Sequence, residues 1–463
     1  MFLATERSHR WILLACCVIL TVLWLPGLRY PVTADTAVYA DLGENLWLHG
    51  RYTAAGVSSP KYLPLHALAS YPFVFIAGTH VGMKLATLLA GFAVLLVTYL
   101  LLRRHLGSSV AIATVFLLTF HHAFVLMTML GSADLLFAAL FLGALAAYSR
   151  AADDRRYYIL AGILMGLSCV TRFNGIPLIP FFLLYTVLRR RRDLLHPMFL
   201  TAVACSIVPL GLWLLRNGNP FHNEYVSELS SNSQGFIAQL ISNIFFYSNP
   251  LHNILPILAF SALYGIVRNA RRQEFLLLGM LSAWIFTAIW WVQAMRFAFP
   301  GYPILLGFGV LGLTDVWKIF LQGSRHSCLR IPVIGVSIFL IILTHVPFLC
   351  VYAYGACNAL VDRHISWIPK NLGLSSEGFY TWDQVRRYFN DTVPEGSSLV
   401  VDSAINEHAW RKGVFRHDIH VIAEAKPGIC PVFHISQHPR EDETVLFQTT
   451  DAPVTALTTL PCM

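Results

Sequence analysis

Long apolar blocks restrict the fold of this 463-residue chain more than any other feature: they run for 15–22 residues with almost no charge. A helix of about 20 apolar residues spans the ~30 Å hydrocarbon core of a bilayer. Only 13% of the residues are charged, roughly half of the share in an average soluble domain. The sequence therefore predicts an α-helical polytopic membrane protein and excludes a soluble enzyme or a disordered chain.

The apolar blocks predict eleven transmembrane helices. They cover residues 11–28, 79–102, 109–127, 132–149, 157–171, 174–188, 196–215, 251–267, 274–292, 298–317 and 331–352. The first block follows Arg7 and Arg10, as in a signal sequence. No small-residue cleavage site comes after it, so a retained anchor is expected.

The positions of Lys and Arg predict the orientation. The loops on the N-terminal side of the spans carry 17 of these residues, and the opposite side carries seven up to residue 352. By the positive-inside rule the N-terminus is cytoplasmic, and an odd number of spans places residues 353–463 outside. The formal charge of +8 is then a topology signal and not a nucleic-acid footprint. A bacterial inner (plasma) membrane fits the absence of long soluble loops.

Two domains are expected. Residues 1–352 form the membrane domain, which includes an outer loop at 29–66. After residue 353 the apolar runs shorten to strand length, as at 398–401, 420–422 and 444–447, and 382–389 has the pattern of an amphipathic helix. A small outward-facing α/β domain at 353–463 is therefore predicted. Four cysteines lie near this domain, with their pairing left open: Cys350, Cys357, Cys430 and Cys462.

The first outer loop contains the pattern of a short helix. Asp35 opens a run in which Tyr39 and Leu42 follow at helical spacing, and Gly50 ends it. This predicts a helix on the membrane surface with Asp35 as its N-cap. The stretch 58–64 contains two prolines and is expected to return to the bilayer in an extended form.

Ionisable residues near the spans are the main functional candidates. Most of them fall at predicted outer ends, and these are Lys84, His121, His122, Asp134, Arg172 and Arg296. A transporter more often places polar groups near the midplane. The distribution therefore favours a reaction chamber open at the outer face. Asp35 and Asp134 are candidates for acid–base chemistry, although each also fits a helix cap.

Four basic residues lie on the side that normally avoids positive charge: Lys61, Arg172, Arg216 and Arg296. Each alone is compatible with snorkelling to lipid headgroups. Four together indicate a bound anion, for which a lipid phosphate is the natural candidate. Tyr39 and Tyr62 fit an aromatic belt, and His66, His121 and His122 fit interfacial packing better than metal binding.

The order of these motifs resembles that of the GT-C membrane glycosyltransferases, and especially the protein O-mannosyltransferases and the lipid A aminoarabinose transferases. The motifs are Asp35 with Tyr39, Leu42 and Gly50, Lys61 before Pro64-Leu65, Ser132-Ala133-Asp134, Thr171-Arg172-Phe173-Asn174-Gly175, Arg216-Asn217-Gly218-Asn219-Pro220, and Arg296-Phe297-Ala298-Phe299-Pro300. Two departures occur. Many relatives have Asp-Glu in place of Asp35-Thr36, and Lys-Pro-Pro in place of Lys61-Tyr62-Leu63-Pro64.

The resemblance implies an enzyme that transfers a sugar from a polyprenyl phosphate to a hydroxyl or amine acceptor at the outer membrane face. Asp35 would be the general base, and Asp134 would orient the acceptor or a basic neighbour. Lys61, Arg172 and Arg296 would hold the phosphate. The expected substrate-binding set also includes Tyr39, Tyr62, His66 and Arg216.

The expected partners are the lipid-linked donor, a protein, lipid or glycan acceptor, and membrane lipids, with no nucleic acid. No cofactor is required, and a divalent metal is compatible with the chemistry. Two other classes stay open: a transporter for polyprenyl lipids or small solutes, and a membrane-anchored assembly or receptor protein that binds a partner through its C-terminal domain.

Overall fold

The computed structural model describes most of the membrane domain and parts of the C-terminal region. The described residues are 6–29, 34–54, 57–58, 61–217, 236–248, 256–289, 295–323, 388–389, 392–394, 396–401, 420–422, 432–436, 444–448 and 456–460. The predicted span at 331–352, the four C-terminal cysteines and most of the predicted helix at 382–389 lie outside this set.

The membrane domain is helical. Its helices are α1 (Glu6–Trp24), α2 (Ala34–His49), α3 (Pro64–Leu106), α4 (Ser108–Thr119), α5 (His122–Leu130), α6 (Asp134–Arg150), α7 (Tyr157–Cys169), α8 (Leu178–Arg189), α9 (Pro197–Asn217), α10 (Phe236–Ser248), α11 (Pro256–Asn269), α12 (Glu274–Ile289), α13 (Met295–Ala298) and α14 (Tyr302–Gly323). Each of the first ten predicted spans falls on one of these helices or, at 109–127, on the pair α4 and α5. Helix α10 was not predicted.

Length and composition separate these helices into two groups. Among the described residues, four helices are long and apolar enough to cross a membrane alone. They are α1, α3, α9 and the helical segment Arg296–Lys318, which contains most of α14. A fifth span results if α4 and α5, bent by 59°, count as one. Shorter apolar helices accompany them: α7, α8, α10 and α12. The structure thus describes a multi-helix membrane domain, and the number of eleven spans stays a prediction.

Helix α3 consists of two parts joined at a kink. Gly78 has φ 73° and ψ 165°, which lies outside the helical region and in a range that L side chains rarely adopt. The second part therefore begins where the sequence predicted a span from residue 79. The first part starts at Pro64, directly after Leu63, whose backbone is extended as predicted (φ −82°, ψ 149°). Proline is well suited to the first turn of a helix.

Helix α6 lies at the centre of the membrane domain. Nearly all of its side chains are buried, including Phe137, Phe141 and Tyr148. A helix that is apolar on every side packs in a core and does not line a surface. It contacts α3 and α7, so its first residue, Asp134, is held at one end of the bundle and Arg150 at the other.

The outer loop has an apolar core of its own. Helix α2 packs on the first part of α3 through Val38, Tyr39 and Leu42 on one side and Tyr71 on the other. The backbones approach closely at Gly43, where a Cβ atom would lie 2.6 Å from the carbonyl oxygen of Ala67. This packing fixes the start of α2 relative to α3.

The C-terminal region contains a five-stranded mixed sheet. Two short strands, β1 (Thr53–Ala54) and β2 (Val57–Ser58), form a separate antiparallel hairpin in the outer loop. The strands of the five-stranded sheet are β3 (Ser398–Val401), β4 (His420–Ile422), β5 (Val432–Ser436), β6 (Thr444–Gln448) and β7 (Ala456–Leu460). The order is β4-β3-β5-β7-β6, with β3 parallel to β4 and β5, and β7 antiparallel to β5 and β6. The three predicted strands are confirmed, whereas β5 and β7 were missed.

Candidate active site

Asp35 lies in the first turn of α2 with its carboxylate partly open to solvent. Its Oδ1 accepts a hydrogen bond from the Tyr62 hydroxyl at 3.0 Å, and its Oδ2 forms an ion pair with Arg296 Nη1 at 3.5 Å. The side chain is 41% exposed. The helix already begins at Ala34, so Asp35 is not the N-cap that the sequence predicted. The positive end of the helix dipole stabilises a carboxylate here.

Tyr62 is held by its backbone and its ring. The Tyr52 hydroxyl donates a hydrogen bond to the Tyr62 carbonyl at 2.9 Å, and the Tyr39 ring packs edge-on against the Tyr62 ring with centroids 5.1 Å apart. Burial, followed by the proximity of Tyr39 and Tyr62, raises the pKa of Tyr52 well above its ordinary value. The Tyr52 hydroxyl therefore stays protonated and able to donate.

A second carboxylate, Asp134, lies at the start of α6 and is completely buried. Gly131 ends α5 in the left-handed conformation (φ 74°) and so brings Ser132 and Asp134 to the same end of the bundle as α2. The Ser132 hydroxyl donates to Asp134 Oδ2 at 2.7 Å, and Arg172 forms an ion pair with Oδ1. Because Asp134 has no exposed surface, its charge is directed to Arg172 and not to solvent.

Two arginines share one aromatic ring. The guanidinium carbons of Arg172 and Arg296 each lie 5.1 Å from the centroid of the Phe297 ring. Cation–π contacts of this kind attract the guanidinium to the ring face. The Nε atom of Arg296 is buried and has no hydrogen-bond partner among the described residues. The site thus places two cations against one ring, and among the described residues the Arg296 Nε–H is a donor without an acceptor.

His66 connects the Asp35 half of the site to the Asp134 half. Its Nε2 lies 3.0 Å from the carbonyl oxygen of Gly131, and its ring packs edge-on against Tyr39 at 4.9 Å. Since the carbonyl only accepts, Nε2 carries the proton in this contact. His66 is 1% exposed, so its contacts are internal. Together these contacts form one network, which we call the acid–arginine network: Asp35, Tyr39, Tyr62, His66, Ser132, Asp134, Arg172, Arg296 and Phe297.

Seven of the nine residues predicted for the site belong to the acid–arginine network. The other two are Lys61 and Arg216. Lys61 immediately precedes Tyr62 in a turn. Arg216 is exposed at the end of α9 and donates to the Gly50 carbonyl at 3.3 Å, at the end of α2 away from Asp35.

Sequence reasoning assigned no role to Ser132 or Phe297, although both lie inside the quoted motifs. The signal was available in their spacing, since Ser132 precedes Asp134 by two residues and Phe297 directly follows Arg296. Within the described residues, no group of three His, Cys, Asp or Glu side chains is placed to hold a metal ion.

A family model of dolichyl-phosphate-mannose-protein mannosyltransferases matches residues 66–214. This segment contains Asp134 and Arg172, and it ends just before Arg216. No curated protein sequence matches the chain.

Two solved structures are similar over nearly the full length. ArnT from Cupriavidus metallidurans bound to undecaprenyl phosphate has a TM-score of 0.64 and 15% identity, and the match covers 98% of each chain. ArnT from the same organism in the apo state has a TM-score of 0.60 and 14% identity, again over 98% of each chain. At this identity the likeness shows a shared fold. It confirms the predicted fold class, and with the family model it supports the resemblance to GT-C glycosyltransferases.

Proposed function

From the GT-C glycosyltransferase fold of this chain, we propose that it transfers a sugar from a polyprenyl phosphate to a hydroxyl acceptor at the outer face of the membrane. The family model and the ligand named for ArnT both involve lipid phosphates, which supports a donor of this chemical class.

One observation carries the proposal: an accessible carboxylate and two fixed arginines lie in a single network. Asp35 is 41% exposed and lies beside Arg296, which shares the Phe297 ring with Arg172. Glycosyl transfer from a phosphate donor needs a base for the acceptor and cations for the leaving phosphate. The acid–arginine network contains both.

The reaction is a single displacement with inversion at the anomeric carbon. Asp35 accepts the proton of the acceptor hydroxyl as the oxygen attacks that carbon. The bond between the anomeric carbon and the phosphate oxygen breaks, and its electron pair leaves with the phosphate. A general base of this type contributes about 10²–10⁴-fold to the rate.

The cations act on the leaving phosphate. As the glycosidic bond breaks, negative charge grows on the phosphate oxygen, where Arg172, Arg296 and Lys61 are proposed to stabilise it. Donors that are already fixed in place are effective because they need no reorganisation during the reaction. No general acid is needed, since the phosphate is already a good leaving group.

The two carboxylates have different roles in this proposal. Asp134 has no exposed surface and pairs with Arg172, so it orients a cation and does not meet the acceptor. Of the two roles that the resemblance left open, its burial favours orientation of the basic neighbour. Asp35 is the base because the acceptor is able to reach it.

The proposal keeps the predicted topology. The N-terminus is cytoplasmic, the site opens outside, and residues 353–463 form an outer domain that shapes access for the acceptor. A cysteine label at residue 190 is expected to react from the cytoplasmic side only, and one at residue 370 from outside only. The reverse pattern contradicts the orientation.

The decisive experiment measures release of free polyprenyl phosphate in lipid nanodiscs. Wild-type protein and Asp35→Asn receive a panel of polyprenyl-phosphate sugars, with a cell-envelope extract as the acceptor. The wild type is expected to release lipid phosphate from one donor, while Asp35→Asn loses at least about 10²-fold in turnover and still binds that donor. The active donor identifies the sugar.

Asp41→Asn is the matched control, since Asp41 lies on the same helix and accepts a hydrogen bond from the Asn45 side chain. It is expected to keep wild-type turnover. Wild-type turnover in a folded Asp35→Asn protein contradicts the role of Asp35. Transport or flipping of lipid that survives Asp35→Asn favours the transporter instead.

A further inference from the structure

Each oxygen of the Asp35 carboxylate has its own partner, and the shorter contact comes from a neutral hydroxyl. Tyr62 donates to Oδ1 at 3.0 Å, whereas Arg296 lies 3.5 Å from Oδ2. The longer contact restrains rotation of the carboxylate less, because hydrogen bonds weaken with distance. Tyr62 therefore has the larger part in setting the plane of the carboxylate.

Tyr62 has little freedom to move. Its carbonyl accepts from the buried Tyr52 hydroxyl at 2.9 Å, and its ring meets Tyr39 edge-on at an interplanar angle of 83°. Tyr52 in turn packs edge-on against Trp213 of α9, with centroids 4.7 Å apart. The Tyr62 hydroxyl is thus tied through the outer loop to a long helix of the membrane domain.

We propose that Tyr62 is a positioning residue that fixes the Asp35 carboxylate for deprotonation of the acceptor, with Tyr52 as its support. This inference rests on the proposed function. A carboxylate oxygen has two lone pairs, so Oδ1 keeps one for the acceptor hydroxyl while it accepts from Tyr62. Tyr62 keeps its own proton throughout, and the acceptor's proton goes to Asp35.

Tyr62 lies where this chain departs from the motif that the resemblance to the GT-C glycosyltransferases implies. This chain has Lys61-Tyr62-Leu63-Pro64, and the resemblance implies Lys-Pro-Pro in many relatives. Proline has no hydroxyl and gives no such hydrogen bond. Tyr62, the residue at which this chain departs from the motif, is therefore also the residue that donates to the candidate base.

The role predicts a specific kinetic signature, because the Tyr62 hydroxyl donates to the candidate base. Tyr62→Phe removes one oxygen atom and is expected to lower kcat about 10-fold, since small misplacements of a reacting group cost up to ~10²-fold. The KM for the donor is expected to stay within about twofold, as for an interaction made only in the transition state. Tyr52→Phe is expected to give a smaller loss of kcat in the same direction.

Two further variants separate positioning from a structural effect. Tyr62→His restores a hydrogen-bond donor and is expected to recover part of kcat. Asp35→Glu moves the carboxylate relative to Tyr62 and so already disturbs their hydrogen bond. Adding Tyr62→Phe to Asp35→Glu is therefore expected to change kcat less than about twofold, because the effects of two contacting residues are not additive. Tyr99→Phe is the control: its hydroxyl pairs with His9 in a different part of the structure, and its kcat is expected to match the wild type.

The outcomes are distinct. Unchanged kcat in Tyr62→Phe, or a raised donor KM at constant kcat, overturns the positioning role. An equal loss from Tyr62→Phe in the wild-type and Asp35→Glu backgrounds also overturns it. If Tyr62→Phe does not fold, the kcat and KM of Tyr52→Phe and Tyr62→His decide by the same criteria. Absence of turnover in the folded wild type with every donor contradicts the proposed function itself.

Discussion

The two ends of the helical bundle differ in how deeply their most buried ion pair lies. At the Asp134 end, Asp134 is fully buried and Arg172 is 18% exposed. At the Arg150 end of the same helix, each of four pairs has one side chain that is at least 50% exposed: Arg104 with Asp153, Arg155 with Asp193, Arg189 with Glu274, and Arg268 with Asp315. In the pair Arg104–Asp153, the two side chains are 32% and 66% exposed.

The difference in burial implies that the ion pairs at the two ends contribute differently to stability. Exposed ion pairs contribute about 0–1 kcal/mol each, because water and salt screen them. A buried pair costs several kcal/mol of desolvation and is weak evidence for stability. Stability therefore does not by itself account for the buried Asp134–Arg172 pair, and the proposed role is the orientation of cations around a phosphate.

The arrangement of aromatic groups shows the same contrast. At the Asp134 end, Phe297 joins two arginines that belong to different carboxylates. At the other end, Arg190 lies over the Tyr148 ring at 4.9 Å and donates to the Tyr148 carbonyl. Tyr148 is itself stacked on Phe182 and Phe275 in the apolar core. One aromatic contact connects charges to each other, and the other connects a charge to the core.

The largest expected effect tests the buried pair. Asp134→Ala leaves the Arg172 charge without its partner, so we expect a loss of about 3–5 kcal/mol in the free energy of unfolding together with loss of turnover. Thermal unfolding in nanodiscs and release of polyprenyl phosphate measure the two effects. The double variant Asp134→Leu with Arg172→Met is expected to recover stability without turnover. Recovery of both contradicts a functional purpose for the pair.

A smaller effect is expected from the partly exposed pair. Arg296→Ala leaves Asp35 in place and removes a cation proposed to bind phosphate, so the donor KM is expected to rise about 10-fold, since charge-assisted contacts are worth ~1.5–3 kcal/mol. The measurement is donor titration in the same assay. Arg268→Ala at the other end is the control and is expected to leave the donor KM unchanged. A similar rise of the donor KM in both variants would show that the two ends of the bundle do not differ in donor binding.

The smallest expected effect concerns the exposed pair at the Arg150 end. A hydrogen bond from Arg104, partly opposed by desolvation, lowers the pKa of Asp153 from its ordinary value of 3.8. A carboxyl group with a lowered folded-state pKa contributes stability above its unfolded pKa and loses it as the pH falls through the folded value. We expect Tm to fall slightly less in Asp153→Asn than in the wild type between pH 6 and pH 3. Thermal scans at both pH values measure this, and turnover at neutral pH should be unchanged.

Much of the fold followed from the sequence because bilayer thickness imposes a length on apolar runs. The helix in the first outer loop, the start of a span at residue 79 and three strands of the C-terminal sheet were predicted correctly. The 59° bend between α4 and α5 was not, because 109–127 reads as one apolar run. Strands β5 and β7 were missed because short strands are defined by their partners as much as by their own residues.

The sequence also determined the residue types of the site, their order and their shared end of the spans. The tertiary structure decided the partners. Asp134 turns to Arg172 since Gly131 bends the chain, and Asp35 meets Tyr62 and Arg296 from segments 27 and 261 residues away. Local patterns report a residue's own helix or strand, whereas contacts across such separations depend on how helices pack. That packing made one carboxylate a buried partner for an arginine and left the other partly exposed.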